Sequence, residues 1–316
     1  MEHQPNSGWE RDLIEKVALA AITEQTRARR WGIAFKSLLF VYLFAIFGVA
    51  IYPKLGNEHH ASKGDNHTAI IDLVGQISED KDANADSIIE GLRDAVEDKH
   101  TKGIILHANS PGGSPVQSAY VYDEIRRIKK EHPTMPIYTV VSDMCASGCY
   151  YIASASDKIF VNPASLVGSI GVLMDGFGFV DVMQKLGVER RLLTAGSHKA
   201  MLDPFTPRKE NETIYMQSLL NQVHQQFISA VRIGRGTRLK ESPDMFSGLV
   251  WSGEEAVKIG LVDEFATQHE IAKNVIGAEE EVNFTPQEHL FDRLAGRLGA
   301  SFGQAISSFL QPVSLR

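Results

Sequence analysis

The chain has 316 residues, 43% of them hydrophobic and 22% charged, which are the proportions of a globular protein and not of a disordered one. Its net charge of -7 and the lack of a long basic block argue against a nucleic-acid partner, because phosphate binding needs clustered Lys and Arg. Two cysteines, Cys145 and Cys149, stand four apart on what reads as one helix. They are too few and too local for a disulfide framework or a zinc site, so no metal is expected and the redox compartment is left unread.

Residues 7–30 read as an amphipathic helix, with Ser7 and Glu10 fitting a capping box and Trp9, Leu13, Val17 and Ala20 at helical spacing. An almost uninterrupted apolar run follows from Ser37 to Tyr52, extended upstream by Trp31 to Phe35 with Lys36 between. With its flanks it reaches about 20 residues, the length that spans a bilayer. Arg27, Arg29, Arg30 and Lys36 precede it and only Lys54 follows closely, so the positive-inside rule places the N-terminus in the cytoplasm and the rest outside. A cleaved signal peptide is the competing reading, weakened by the distance from Met1 and by the lack of a small-x-small site after Ala50.

After a polar linker from Gly56 to Asn66 the pattern becomes strand and helix in alternation. Thr68 to Ile77 predicts a strand, Ala83 to Asp98 a helix with Ile88, Ile89, Leu92 and Val96 inward, and Gly103 to Ala108 a second strand. Pro-Gly-Gly at 111–113 leads into a helix through Val116, Tyr120, Ile125 and Ile128. The series repeats through Ile137 to Val141, a helix at Ser147, and Lys158 to Val161. That predicts one α/β domain on a mostly parallel sheet. A long helix from Lys209 to Gly234 is expected to cover the sheet or an oligomer contact. Leu290 to Leu310 has helical apolar spacing and suits a membrane surface, a ring contact or the active-site groove.

Two stretches carry candidate chemistry. Ser147, between Ala146 and Gly148, is either a nucleophile at a helix start or a small residue chosen for packing. Gly112 and Gly113 follow a strand, where their amides can hold an oxygen that gains negative charge, or simply turn the chain. A serine nucleophile needs a base. His107 lies inside an apolar strand, His132 ends a helix, and His224 falls within one; His198 sits in a loop without an evident Asp partner. Its neighbour Lys199, in a short Gly-bearing loop, is the better candidate. From a pKa of about 10.4, less than roughly 0.1% of a lysine is neutral at pH 7, so burial has to lower the value by about 2 to 3 units. Ser169, in the glycine-flanked turn Val167-Gly168-Ser169-Ile170-Gly171, is a hydroxyl suited to orient the amine. Cys149 as a rival nucleophile lacks an identified base.

Ser110-Pro111-Gly112-Gly113, Ala146-Ser147-Gly148-Cys149-Tyr150-Tyr151-Ile152-Ala153, Val167 to Val172, Lys199, and Trp251-Ser252-Gly253-Glu254-Glu255-Ala256 through Gly260 to Asp263 match, in order and spacing, the signal peptide peptidase A family of membrane-anchored Ser/Lys proteases (peptidase family S49). The resemblance runs from Thr68 to Asp263 and is to the short form with one catalytic domain; SohB-type quality-control proteases share much of it. It implies a ClpP/crotonase-like fold and cleavage of remnant signal peptides in the membrane. By the same resemblance Ser147 is the nucleophile and Lys199 the general base, Gly113 and Gly148 supply oxyanion N–H groups, and Ser169 orients the lysine. The family usually has glycine where this chain has Cys149. A ring-like homo-oligomer, with sites shared between protomers, is also implied.

The expected layout is a cytoplasmic amphipathic segment (1–30), a transmembrane anchor (31–53), a linker (54–66), the protease domain (67–285) and an amphipathic tail (286–316). The localisation expected is the bacterial inner membrane with the catalytic domain on the periplasmic side, the partners are apolar peptides and the membrane, and no cofactor is expected. Two rivals share the fold: a crotonase-like acyl-CoA enzyme, which needs no Ser147 and Lys199 pair, and a non-catalytic membrane scaffold.

Overall fold

The computed structural model describes residues 8–56 and 65–286. It divides into two compact units, of which the first contains helix α1 (Gly8–Gly56), a single helix of 49 residues. The helix expected over 7–30 forms and continues without a break through the apolar run, leaving Leu13, Val17, Phe35, Leu38, Phe40 and Phe44 exposed. The expected transmembrane anchor over 31–53 is not supported, since among the described residues no helix is long and apolar enough to cross a membrane. The side chains of residues 45–47 and 49–56 lie outside the described residues. Ser7 of the expected capping box, most of the linker and the tail helix at 290–310 also lie outside the described residues.

The second unit is built on an eight-stranded sheet in the order β6-β5-β3-β2-β1-β8, with β4 pairing β3 and β7 pairing β4. Its strands are β1 (His67–Val74), β2 (Thr101–Ser110), β3 (Ile137–Ala146), β4 (Lys158–Val161), β5 (Leu166–Gly168), β6 (Val250–Ser252), β7 (Glu264–Phe265) and β8 (Glu281–Asn283). All pairings are parallel except β5 with β6. The α/β domain read from the sequence is therefore correct, and its helices are the crossovers a parallel sheet requires. Helix α2 (Ala85–Glu97) starts where the Asn84 side chain accepts from Ser87 N at 2.9 Å, and α3 (Pro115–Glu131) starts at Ser114 with proline in its first turn.

Side-chain alternation along the strands divides the core in two. Ile71, Leu73, Ile104, Leu106, Ile137 and Val141 face Ile88 and Leu92 of α2, Val121 and Ile125 of α3, and Phe227 and Val231 of α6 (Glu210–Arg235). Residues one position along, Ile70, Ile105, Val140 and Phe160, face the other side and pack on Ile271 and Ala272 of a π-helical turn (Ile271–Ile276). Each fully buried Ile or Leu contributes about 1.5–3 kcal/mol of transfer free energy, which is why the sheet centre and not the loops fixes the register. Only the C-terminal half of α6 covers this core; Ile214 in its first half is exposed.

Strand β3 is the pivot of the sheet. Tyr138–Val140 pairs with β4, and Met144–Ala146 pairs with β5, so the strand forks along its length. Opposite β2 the register shifts between Ala108 and Ser110, where β3 runs from Val141 to Cys145. This irregularity carries the end of β3 out to the corner where Ser147 sits. Cys145 thus ends a strand and Cys149 lies on α4 (Gly148–Ala153), not on one helix as the sequence suggested, because β3 extends past Val141 to Ala146. The two cysteines, read from the sequence as too few and too local for a disulfide framework, form a single local disulfide across that corner, with Cα atoms 5.1 Å apart.

Candidate active site

Ser147 occupies the position between β3 and α4 with φ 54° and ψ -123°, in the half of backbone space that non-glycine residues rarely enter. Its side chain makes no capping hydrogen bond, which leaves Oγ free at the start of a helix where serine ordinarily folds back onto the backbone. The backbone is held instead: Ser147 N donates to Gly168 O at 2.8 Å, and Tyr151 N donates to Ser147 O at 2.9 Å. Tyr150, on the next turn, is fully buried and donates its hydroxyl to Leu261 O at 2.5 Å, tying α4 to the chain segment before β7.

The loop after β2 lies directly against this corner. Gly112 has φ 94°, and a Cβ there would stand 2.6 Å from Ala146 O, 2.7 Å from Gly148 N and 2.7 Å from Ser147 Cβ. No side chain fits, so the two backbones approach as closely as glycine allows. Gly113 follows, with Ile77 N donating to Gly112 O and Ser114 N donating to Ile77 O to fix the loop on both sides. A Cβ on Gly148 would lie 3.3 Å from the Gly113 amide nitrogen, which brings the Gly113 and Gly148 N–H groups to one place. Neither amide donates to a protein acceptor among the described residues. Two unpaired N–H groups beside a free serine hydroxyl, at the carboxyl ends of two parallel strands, can stabilise an oxyanion.

Ser169 directly follows the Gly168 carbonyl that accepts from Ser147, has φ 48°, and donates its own N–H to Leu249 O at 2.7 Å. Four of the five residues singled out in the sequence, Ser147, Gly113, Gly148 and Ser169, therefore converge on one corner. Lys199 is not tied to them by any hydrogen bond among the described residues. It sits in an exposed turn with its backbone N–H donating to Gly196 O at 3.2 Å.

That turn belongs to an arm between β5 and α6 that includes helix α5 (Val180–Leu186), and Leu173, Phe177 and Leu193 on the arm are exposed by 83%, 79% and 96%. An Arg190–Asp203 ion pair, the stacked rings of Phe179 and Phe205 at 5.5 Å, and Arg190 over Phe205 at 5.2 Å shape it. The Phe205 amide and the Arg190 guanidinium hold Asp203 below the usual carboxylate range. Among the described residues Leu173, Phe177 and Leu193 are left uncovered, the kind of surface that marks an interaction site.

A polar cluster that the sequence reading missed lies on the opposite face of the sheet. Asp72, His107 and Ser142 sit on neighbouring strands, with His107 Nδ1 2.8 Å from Asp72 Oδ1 and His107 Nε2 2.9 Å from Ser142 Oγ. Asn283 donates to the other Asp72 oxygen at 2.6 Å. The hydrogen bond to Asp72 raises the His107 pKa against its burial, and the same bond lowers that of Asp72. This histidine is committed to the sheet and is not the base for Ser147. The register of β1 and β2, which pairs Asp72 with His107, is what could have revealed it, and sequence alone does not supply that register.

The model of peptidase family S49 matches residues 129–283, and that of the Clp protease family matches residues 64–166. A protein named as a Na(+)/H(+) antiporter in Brucella abortus is 39% identical over 213 residues, 67% of this chain and 29% of that protein. A presumed protease of Methanocaldococcus jannaschii is 30% identical over 250 residues, 75% of this chain and 79% of that protein. Protease 4 of Haemophilus influenzae is 30% identical over 223 residues, 69% of this chain and 35% of that protein. The chain thus spans less than a third of the Brucella relative and about four fifths of the archaeal one.

Proposed function

Because the chain belongs to peptidase family S49, we propose that it is a serine endopeptidase in which Ser147 attacks a peptide carbonyl and Lys199 acts as the general base. The observation that carries this reading is the corner itself, where the free Ser147 hydroxyl stands beside the unpaired amides of Gly113 and Gly148. In the proposed reaction Ser147 Oγ forms a bond to the carbonyl carbon while its proton passes to neutral Lys199. The Gly113 and Gly148 amides donate to the developing oxyanion. The lysine then returns the proton to the leaving amine and activates the water that hydrolyses the acyl-enzyme. Ser169 orients the lysine from its rigid turn.

Lys199 reaches the corner, in this proposal, from a second copy of the chain. The exposed apolar arm that bears it supports assembly, since Leu173, Phe177 and Leu193 would be covered there. Assembly also supplies the burial needed to lower the lysine pKa. The proposed substrates are extended apolar peptides, with remnant signal peptides as the class. The apolar sequence from Ser37 to Tyr52 and the basic residues before it favour attachment to an inner membrane with the catalytic unit outside. A disulfide in that unit fits an oxidising compartment.

The test is hydrolysis of a fluorogenic apolar peptide by the full chain, comparing wild type with Ser147→Ala and Lys199→Ala from pH 6 to 10. Both variants are expected to lose activity by at least 1000-fold (order of magnitude) while retaining fold and assembly. Mixing the two inactive variants is expected to restore part of the activity, because some interfaces then pair an intact serine with an intact lysine. Wild-type turnover in either variant would remove the dyad, and failure of mixed subunits that demonstrably exchange would remove the shared site.

A further inference from the structure

Cys145 and Cys149 close a covalent ring around the residues on which the proposed chemistry depends. The separation is only 4 positions, so the ring contains Ala146, Ser147 and Gly148, that is, the nucleophile and one of the two oxyanion donors. The strand end of the ring is fixed, since Cys145 pairs with Ser110 of β2 on one side and with Val167 of β5 on the other. The helix end is short, since α4 has 6 residues and no side-chain cap from Ser147, so it is held by tertiary packing, with Tyr150 and Ile152 fully buried and the Tyr150 hydroxyl donating to Leu261 O. Between these ends Ser147 is held at a positive φ, a conformation that persists only where the surroundings over-determine it. Both cysteines are fully buried.

We propose that the Cys145–Cys149 disulfide is a redox-active positioning element, which assembles the Ser147 corner when oxidised and releases it when reduced by a dithiol. The step balances as ordinary thiol–disulfide exchange. A thiolate of the reductant attacks one sulfur and breaks the Cys145–Cys149 bond. Its second thiol then resolves the mixed disulfide, leaving two protein thiols and one oxidised reductant after transfer of two electrons and two protons. Burial of both sulfurs makes this exchange depend on opening of the corner, so it is slow and favours small reductants. With the ring open, Ser147 relaxes toward ordinary backbone space, and Ser147 Oγ and the Gly148 amide move together away from Gly113. A chain in a reducing compartment then has no assembled nucleophile, and one in an oxidising compartment does. The inference rests on the reading of Ser147 as the nucleophile.

The experiment uses the purified full chain, prepared without reductant, and the same protein equilibrated with excess dithiothreitol. Thiols are counted by alkylation and mass spectrometry of denatured aliquots. Three quantities are compared: the rate of fluorophosphonate labelling of Ser147, kcat and KM on an apolar fluorogenic peptide, and hydrogen exchange of residues 142–155. Reduction is expected to slow labelling and lower kcat at least tenfold with KM little changed, to raise exchange in 145–153 without global unfolding, and to reverse on reoxidation. The Cys145→Ala/Cys149→Ala variant is expected to sit at the reduced rate and to ignore dithiothreitol. Two free thiols in the untreated protein, equal labelling and exchange in the two redox states, or a double variant that still responds to dithiothreitol would each overturn the proposal. Absence of Ser147 labelling in both states would instead refute Ser147 as the nucleophile. The cross-link's positioning role is then decided by hydrogen exchange alone.

Discussion

Replacing Gly112 by alanine tests whether the glycine loop and the Ser147 corner are as closely fitted as the distances indicate. Alanine at φ 94° meets the general penalty for an L-residue in that region, about 1–2 kcal/mol. The new Cβ also lands 2.6 Å from Ala146 O and 2.7 Å from Gly148 N, both backbone atoms that cannot turn aside. Overpacking of this kind adds about 1–3 kcal/mol. Gly75 separates the two contributions, because it has φ 89° and nothing within 4 Å of the position its Cβ would take. Gly75→Ala is therefore expected to show the backbone penalty alone, and Gly112→Ala about 2–5 kcal/mol in all. Urea unfolding of both variants measures the difference, and fluorophosphonate labelling measures the corner. Labelling of Ser147 is expected to fall at least tenfold (order of magnitude) in Gly112→Ala and to stay near wild type in Gly75→Ala. Equal destabilisation of the two variants with normal labelling in both would refute the close fit.

Asp263 receives two hydrogen bonds from the fully buried Arg235 guanidinium, at 2.7 and 3.0 Å, and one from Arg238 at 3.3 Å. Burial alone would raise its pKa, but the guanidinium partners lower it on balance. Asp263→Asn leaves the Arg235 charge buried without its counter-ion and is expected to cost about 3–5 kcal/mol by urea unfolding, and a loss under about 1 kcal/mol would show that the charge is otherwise compensated. Glu124, held by Arg127 and Arg93, has its pKa lowered from 4.5 to about 2. Its stabilisation is present above the unfolded value and disappears as pH falls from about 4.5 through about 2, so Glu124→Gln is expected to flatten the acid limb of the stability curve, and an unchanged limb would contradict this. His107 has the opposite sign: its contribution is complete below its ordinary value of 6.5 and is lost as pH rises through the raised folded value. His107→Gln is accordingly expected to reduce the fall in thermal stability above that pH; an identical slope would exclude the Asp72 pair as its cause.

The layered α/β fold was legible because strand alternation and helical spacing report burial directly. Ile88 and Leu92 in α2 and Ile125 and Ile128 in α3 are inward as the spacing predicts, and β4 spans the expected Lys158–Val161. Gly113, Gly148 and Ser169 were named for the site by the family resemblance; the structure adds that they lie at the Ser147 corner, and their roles belong to the proposed mechanism. Long-range register was not legible. It decides that β3 continues to Ala146, that Cys145 thereby lies on a strand opposite Cys149, and that Asp72 meets His107. Lys199 marks the limit of a single chain, because its arm is exposed and the surface that would bury it lies on another molecule in the proposed assembly. The anchor is a different case: its apolar composition is plain, but the helix through it meets no spanning criterion among the described residues.

The most direct test of the dyad is mass spectrometric mapping of the full chain after treatment with a fluorophosphonate, for wild type and Lys199→Ala in the oxidised state. A nucleophile at Ser147 that depends on Lys199 predicts a single adduct on the peptide containing Ser147, formed at least a hundredfold (order of magnitude) more slowly in Lys199→Ala. An adduct on another serine, Ser142 beside His107 above all, or equal labelling of Ser147 with and without Lys199, would contradict it.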